Sequence, residues 1–141
     1  MKRSVILVDD DVVINMMQTK VVQLSGMDDN PLVFTTGKKA VDYLVNERNK
    51  YHKALLLLDL NMPEWDGWRV LEALQNQGLE DKLDVYIVSS SVDQVEIDRS
   101  EKNLLVRGFI SKPLSIAKCN QLKADVEERE AYEETESSKS A

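Results

Sequence analysis

Residues 54–58 are five apolar side chains in a row, Ala54-Leu55-Leu56-Leu57-Leu58, broken at once by Asp59 and soon afterwards by Pro63. The run is too short to cross a bilayer, and its abrupt polar end fits a strand buried on both faces of a parallel sheet. Asp59 is then carried to the carboxyl end of that strand, the edge at which open α/β sheets hold their ligands. Asn61, Pro63 and the Asp66-Gly67 pair cannot prolong the strand. Asp66 is placed to cap a helix that begins near Gly67 or Trp68. Taken alone, Asp59 also reads as an ordinary turn residue that ends a strand.

A second strand of the same build resolves the choice. Ser4 to Val8 is apolar and runs into Asp9-Asp10-Asp11, directly before a helical pattern. Adjacent parallel strands bring Asp9, Asp10 and Asp59 to one edge, where three carboxylates repel one another unless a cation neutralises them. An all-oxygen set of this kind suits magnesium, which keeps part of its water shell. Asp11 is left to cap the first helix. Tyr86-Ile87-Val88 runs into Ser89, and Phe109-Ile110-Ser111 into Lys112-Pro113. Carboxylates, a hydroxyl and an ammonium at successive strand ends are the parts needed to accept a phosphoryl group.

In this order the motifs resemble the receiver domain of two-component response regulators, the CheY-like family, over roughly residues 3 to 128. The resemblance rests on Asp9-Asp10, on the loop from Asp59 through Asn61 and Pro63 to Gly67, on Ser89, and on Gly108-Phe109-Ile110-Ser111-Lys112-Pro113. It implies a three-layer α/β/α sandwich around a five-stranded parallel sheet of order 2-1-3-4-5, flavodoxin-like and CheY-like. It implies Asp59 as phosphoacceptor, and Mg2+ held by Asp9, Asp10, Asp59 and the Asn61 backbone carbonyl. Ser89 and Lys112 are expected on the phosphoryl oxygens, Ser89 and Phe109 as switch residues, and the Lys112–Pro113 bond as cis. Ser89 stands where threonine is commoner, losing a methyl but keeping the hydroxyl.

The rest of the chain supports one receiver, residues 3–128, followed by an acidic helix end or disordered tail, 129–141. Strands alternating with short helices imply right-handed crossovers. Val13, Met17, Val21 and Leu24 mark the first helix, with Met16 and Met17 as core filler. A short strand follows at 31–34, then a helix facing inward through Ala40, Val41, Leu44 and Val45. Residues 47–53 read as a solvated connection. The third helix, 68–77, buries Val70, Leu71 and Leu74. The fourth, 92–102, is weakly amphipathic, with Val92 and Val95 as anchors and Ile97 facing solvent, and such a helix is easily shifted. The last starts near Ser115 and is anchored by Ile116, Cys119, Leu122 and Val126.

Charge and composition narrow the function. Residues 125–141 carry seven acids and two bases, and the whole chain has a net charge of −7. So acidic a chain has no electrostatic footprint for nucleic acid. The single cysteine, Cys119, and the single histidine, His52, exclude a disulfide and any histidine-based zinc site. No apolar leader follows Met1, so a cytoplasmic protein without membrane contact is expected. The expected function is phosphoacceptor signalling: a sensor histidine kinase or phosphotransfer protein supplies the phosphoryl group, and a changed surface is read by a downstream protein. Ser91 and Asn61 are expected to border the path of the hydrolytic water. Such a protein is not an enzyme beyond its own phosphorylation and slow dephosphorylation. Two alternatives are a Mg2+-dependent phosphohydrolase with an aspartyl-phosphate intermediate, which normally needs a substrate cap for which no insertion is long enough, and an interaction module that takes no phosphate.

Overall fold

A computed structural model describes residues 3–90 and 93–140. Five strands, β1 (Ser4–Val8), β2 (Leu32–Phe34), β3 (Ala54–Leu58), β4 (Leu83–Ser89) and β5 (Val106–Ser111), form one parallel sheet of order β2-β1-β3-β4-β5. Five helices alternate with them: α1 (Val12–Leu24), α2 (Gly37–Asn46), α3 (Gly67–Leu74), α4 (Gln94–Glu101) and α5 (Ile116–Ser140). The expected three-layer architecture and strand order are those observed.

The central strands are apolar because both their faces are covered. Every residue of β3 is buried, and alternate side chains enter two cores. Leu56 and Leu58 join Ala40, Leu44, Val70, Leu71 and Leu74 of α2 and α3. Leu55 and Leu57 join Val22 of α1 and Cys119, Leu122 and Val126 of α5. This alternation is the two-residue period of a strand sandwiched between helical layers. Parallel pairing brings the carboxyl ends of β1, β3, β4 and β5 to one rim.

Helix starts follow local chemistry. Asp11 caps α1, its carboxylate accepting from the Val13 and Ile14 amides, and Asp66 caps α3 by accepting from Arg69. Both placements match the sequence reading.

Several packing expectations fail. In α1 the buried residues are Asn15, Gln18 and Val22, whereas Val13, Met16, Met17 and Leu24 are exposed, Met16 by 68%. The helix turns its polar positions inward because Asn15 Nδ2 donates to the Asp9 carbonyl at 2.7 Å. Residues 47–53 are not a mere solvated connection: a 3-10 turn spans Arg48–Lys50, Arg48 donates to the Val45 and Gln77 carbonyls, and Tyr51 is buried with its hydroxyl on the Leu44 carbonyl. Helix α3 stops at Leu74, where Gln75 turns extended and Asn76 takes a positive φ.

Helix α4 runs only from Gln94 to Glu101, and Ser100 is its one buried residue. Val95, an expected anchor, is 73% exposed, while Ile97 is half-buried instead of solvent-facing. Val92, the other expected anchor, lies outside the described residues. Arg99 ties α4 to α3, its guanidinium 4.1 Å over the Trp68 ring. Ile116, expected as an anchor of α5, is 45% exposed because it lies in the first turn, ahead of the packed stripe of Cys119, Leu122 and Val126. The acidic segment continues α5 as helix to Ser140, and Arg3 and Lys53 pair with its Glu130 and Glu133.

Candidate functional site

The ends of β1 and β3 lie side by side, with Val8 opposite Leu58 and the Asp59 amide donating to the Val8 carbonyl at 3.0 Å. The next residues on each strand, Asp9 and Asp59, are therefore neighbours. Asp9, Asp10 and Asp59 each offer a carboxylate oxygen, and these three atoms lie within 4.8 Å of one another. Asp9 and Asp59 are only 1% and 5% exposed, whereas Asp10 faces solvent.

Lys112, the residue after β5, reaches across to this cluster. Its Nζ lies 2.7 Å from Asp9 Oδ2 and 3.3 Å from Asp59 Oδ1. The Lys112 amide donates to the Ser89 carbonyl at 2.8 Å, and its peptide bond to Pro113 is cis, as expected. Burial raises the pKa of Asp59, the Asp9 charge raises it further, and Lys112 with the Asn61 amide opposes both. Burial alone would lower the pKa of Lys112, but its contacts with Asp9 and Asp59 outweigh it and leave a net rise. The result is an ammonium and two buried carboxylates sharing one rim, with a surplus of negative charge.

That surplus is the chemical test for a divalent ion. One ammonium between three carboxylates leaves net negative charge on oxygen-only donors, which fits a hard cation such as Mg2+.

Of the other expected site residues, Ser89 and Asn61 fall at the same edge. Ser89 closes β4, wholly buried and in register with Ser111 of β5. Asn61 is exposed beside Asp59 and gives its backbone N–H to the Asp59 carboxylate. Phe109 is outside the polar cluster, half-buried on β5 and packed against the core that contains Ile87 and Leu105. Ser91 lies outside the described residues.

The sequence reading missed two features around this cluster. Gly67 packs directly on the loop that follows β3: a β-carbon there would lie 2.7 Å from the Asp59 carbonyl oxygen and 2.8 Å from Leu60 Cα. A glycine opening a helix, where no turn demands it, was the available signal. Lys118 of α5 donates to the backbone on both sides of Lys112. Its signal was a lysine in the first turn of a helix, against the macrodipole.

Residues 5–124 match the model of the response regulator receiver domain. Two-component response regulator 24 of Arabidopsis thaliana is 28% identical over 120 residues, covering 83% of this chain and 78% of that relative. Among solved structures, a two-component response regulator from Cytophaga hutchinsonii is 28% identical with a TM-score of 0.77, covering 88% of this chain and 96% of the other. A response regulator receiver protein from Dyadobacter fermentans is 26% identical with a TM-score of 0.75, covering 85% of this chain and 94% of the other.

Proposed function

The chain belongs to the response regulator receiver domain family, and from that premise we propose that it takes a phosphoryl group from a phosphohistidine onto Asp59. The observation that carries this reading is the Asp9–Lys112–Asp59 bridge. It sets a buried carboxylate beside an ammonium able to follow charge onto an incoming phosphate. The donor is a sensor histidine kinase or a phosphotransfer protein.

In the forward step an Asp59 carboxylate oxygen attacks phosphorus in line. A P–O bond forms, the P–N bond of the donor breaks, and the imidazole leaves with the electron pair and recovers a proton from solvent. Burial and the adjacent Asp9 destabilise the Asp59 anion, and the acyl phosphate brings still more negative charge to this rim, so the Lys112 ammonium is needed to offset it. Lys112 meets one phosphoryl oxygen, and the Ser89 hydroxyl donates to another. Asp9, Asp10, Asp59 and the Asn61 carbonyl would hold Mg2+, which would supply positive charge against the phosphoryl oxygens. Water later attacks the acyl phosphate and returns the Asp59 carboxylate and inorganic phosphate, with Asn61 and Ser91 bordering its path. The chain thus performs only its own phosphorylation and dephosphorylation.

The signal leaves through a population shift. Phosphate draws Ser89 inward, and Phe109, only half-buried on β5, turns into the space behind it. Helix α4, with one buried residue, adjusts readily. A downstream protein reads the altered face in the cytoplasm; the acidic composition and the lack of any membrane-length apolar helix among the described residues suit this protein-to-protein role. Trp65 and Trp68 lie beside the acceptor loop. Their fluorescence should change on adding Mg2+ and again on adding beryllofluoride, an acyl-phosphate mimic. A flat response to both would refute the reading.

A further inference from the structure

We propose that Lys118 is a positioning residue for phosphoryl capture, acting through Lys112. The inference rests on the phosphoacceptor reading above.

Lys118 is the third residue of α5, where a positive charge opposes the helix macrodipole. Its ammonium is nevertheless tucked against the loop that precedes the helix. Nζ lies 2.7 Å from the Ser111 carbonyl, 3.3 Å from Ser111 Oγ and 3.1 Å from the Pro113 carbonyl. Three ammonium donors thus meet three acceptors. Those acceptors belong to the residues immediately before and after Lys112. A side chain that breaks a local helix preference while satisfying every donor marks a place where another requirement prevails.

That requirement is the aim of Lys112. Its main chain is held on the sheet side by its N–H on the Ser89 carbonyl. On the opposite side Lys118 grips the carbonyls on either flank, while the Ser115 hydroxyl accepts from the Lys118 amide and seats the start of the helix. Held at these points, the loop presents Lys112 Nζ to Asp9 and Asp59. The acidic cluster does not depend on this grip, because Asp9, Asp10 and Asp59 follow β1 and β3.

The two functions of the site are therefore separable. Metal binding uses carboxylates that Lys118 does not touch, whereas retention of a phosphoryl group uses Lys112. Loosening Lys112 also releases Asp9 from its 2.7 Å ion pair, which leaves metal affinity the same or tighter.

The test is a pair of fluorescence titrations on the full chain, Mg2+ alone and then beryllofluoride at saturating Mg2+. Lys118→Met keeps the length of the side chain and removes all three donors. Its beryllofluoride affinity should fall about tenfold or more, since sub-ångström aim at a reacting group is worth factors of this size. Its Mg2+ affinity should stay equal to wild type or rise. Lys118→Arg retains donors but spreads them in a flat fork, and should fall between Lys118→Met and wild type. Unchanged beryllofluoride affinity in Lys118→Met would overturn the proposal. So would parallel loss of both affinities, which marks a merely structural role, or a Lys118→Arg variant weaker than Lys118→Met. A wild-type chain that responds to Mg2+ but takes up no beryllofluoride would instead refute the phosphoacceptor reading on which the proposal stands.

Discussion

Gly67 packs against Asp59 so closely that a β-carbon would stand 2.7 Å from the Asp59 carbonyl oxygen. The Gly67 amide also donates to the Leu60 carbonyl at 2.9 Å. The first residue of α3 is thus fastened to the Asp59–Leu60 backbone. The obstructing atoms at 2.7 and 2.8 Å are backbone and cannot swing aside.

Gly67→Ala should therefore destabilise the fold by about 2 kcal/mol, the scale of overpacking a closed site, and should slow phosphorylation. Denaturant unfolding and acetyl phosphate labelling would measure both. Gly78→Ala is the comparison: nothing lies within 4 Å of its added β-carbon, and only its positive φ of 71° opposes the change. Labelling by Gly78→Ala should match wild type.

Asp59 presents a second, opposite prediction. Its pKa is raised by burial and by Asp9, so its negative charge weakens the fold at neutral pH when no divalent ion is bound. For a raised carboxylate the stabilising contribution is present below the unfolded pKa, near 4, and is lost as pH rises through the folded value. Asp59→Asn should accordingly raise the melting temperature in EDTA at pH 7 by a few degrees, and that gain should shrink as the pH approaches 4. A lower melting temperature for Asp59→Asn at pH 7 would contradict the assignment of electrostatic strain to this carboxylate.

At the opposite end of the sheet, Arg3 and Asp84 form a buried ion pair at 2.5 Å, with side chains 6% and 7% exposed. Arg107 and Glu130 extend it. Removing one partner strands a buried charge, and Asp84→Leu should cost about 3 kcal/mol. Replacing both, as Arg3→Met with Asp84→Leu, should recover most of that loss. Additive losses in a double-mutant cycle would show that the two residues do not act as a pair.

Tyr86 ties β4 to α5, its hydroxyl donating to the Asp125 carboxylate, and its ring crosses β5 where a β-carbon on Gly108 would lie 2.8 Å away. Burial and then the Asp125 carboxylate push its pKa far above that of a free tyrosine. The contribution is complete below about pH 10 and is lost as the pH rises beyond it. Tyr86→Phe should cost about 1 kcal/mol at pH 7 and flatten the alkaline limb of the stability profile. An unchanged limb would remove Tyr86 from that role.

The sheet was legible in the sequence because each central strand is a short apolar run that ends on a polar residue. Ala54 to Leu58 has no helical alternative once Asp59 and Pro63 follow. The acidic cluster and Lys112 were legible for the same reason, since strand ends share one rim. Helix α1 was misread because apolar residues surround it, and only the contact of Asn15 with the Asp9 carbonyl reveals which side faces inward. Lys118 escaped notice because its partners are mainly backbone carbonyls, which carry no residue-specific signal. The pairing of Arg3 with Glu130 spans nearly the whole chain and depends on α5 continuing past the core, which composition alone left open.

The chemistry proposed for this rim depends on Asp59 being the covalent acceptor. The direct measurement is intact-protein and peptide mass spectrometry after incubation with acetyl phosphate and Mg2+. A single phosphoryl group on the peptide containing Asp59, released by hydroxylamine and absent both in EDTA and in Asp59→Asn, is the predicted result. Stoichiometric label on another residue, or on Asp59→Asn itself, would contradict it.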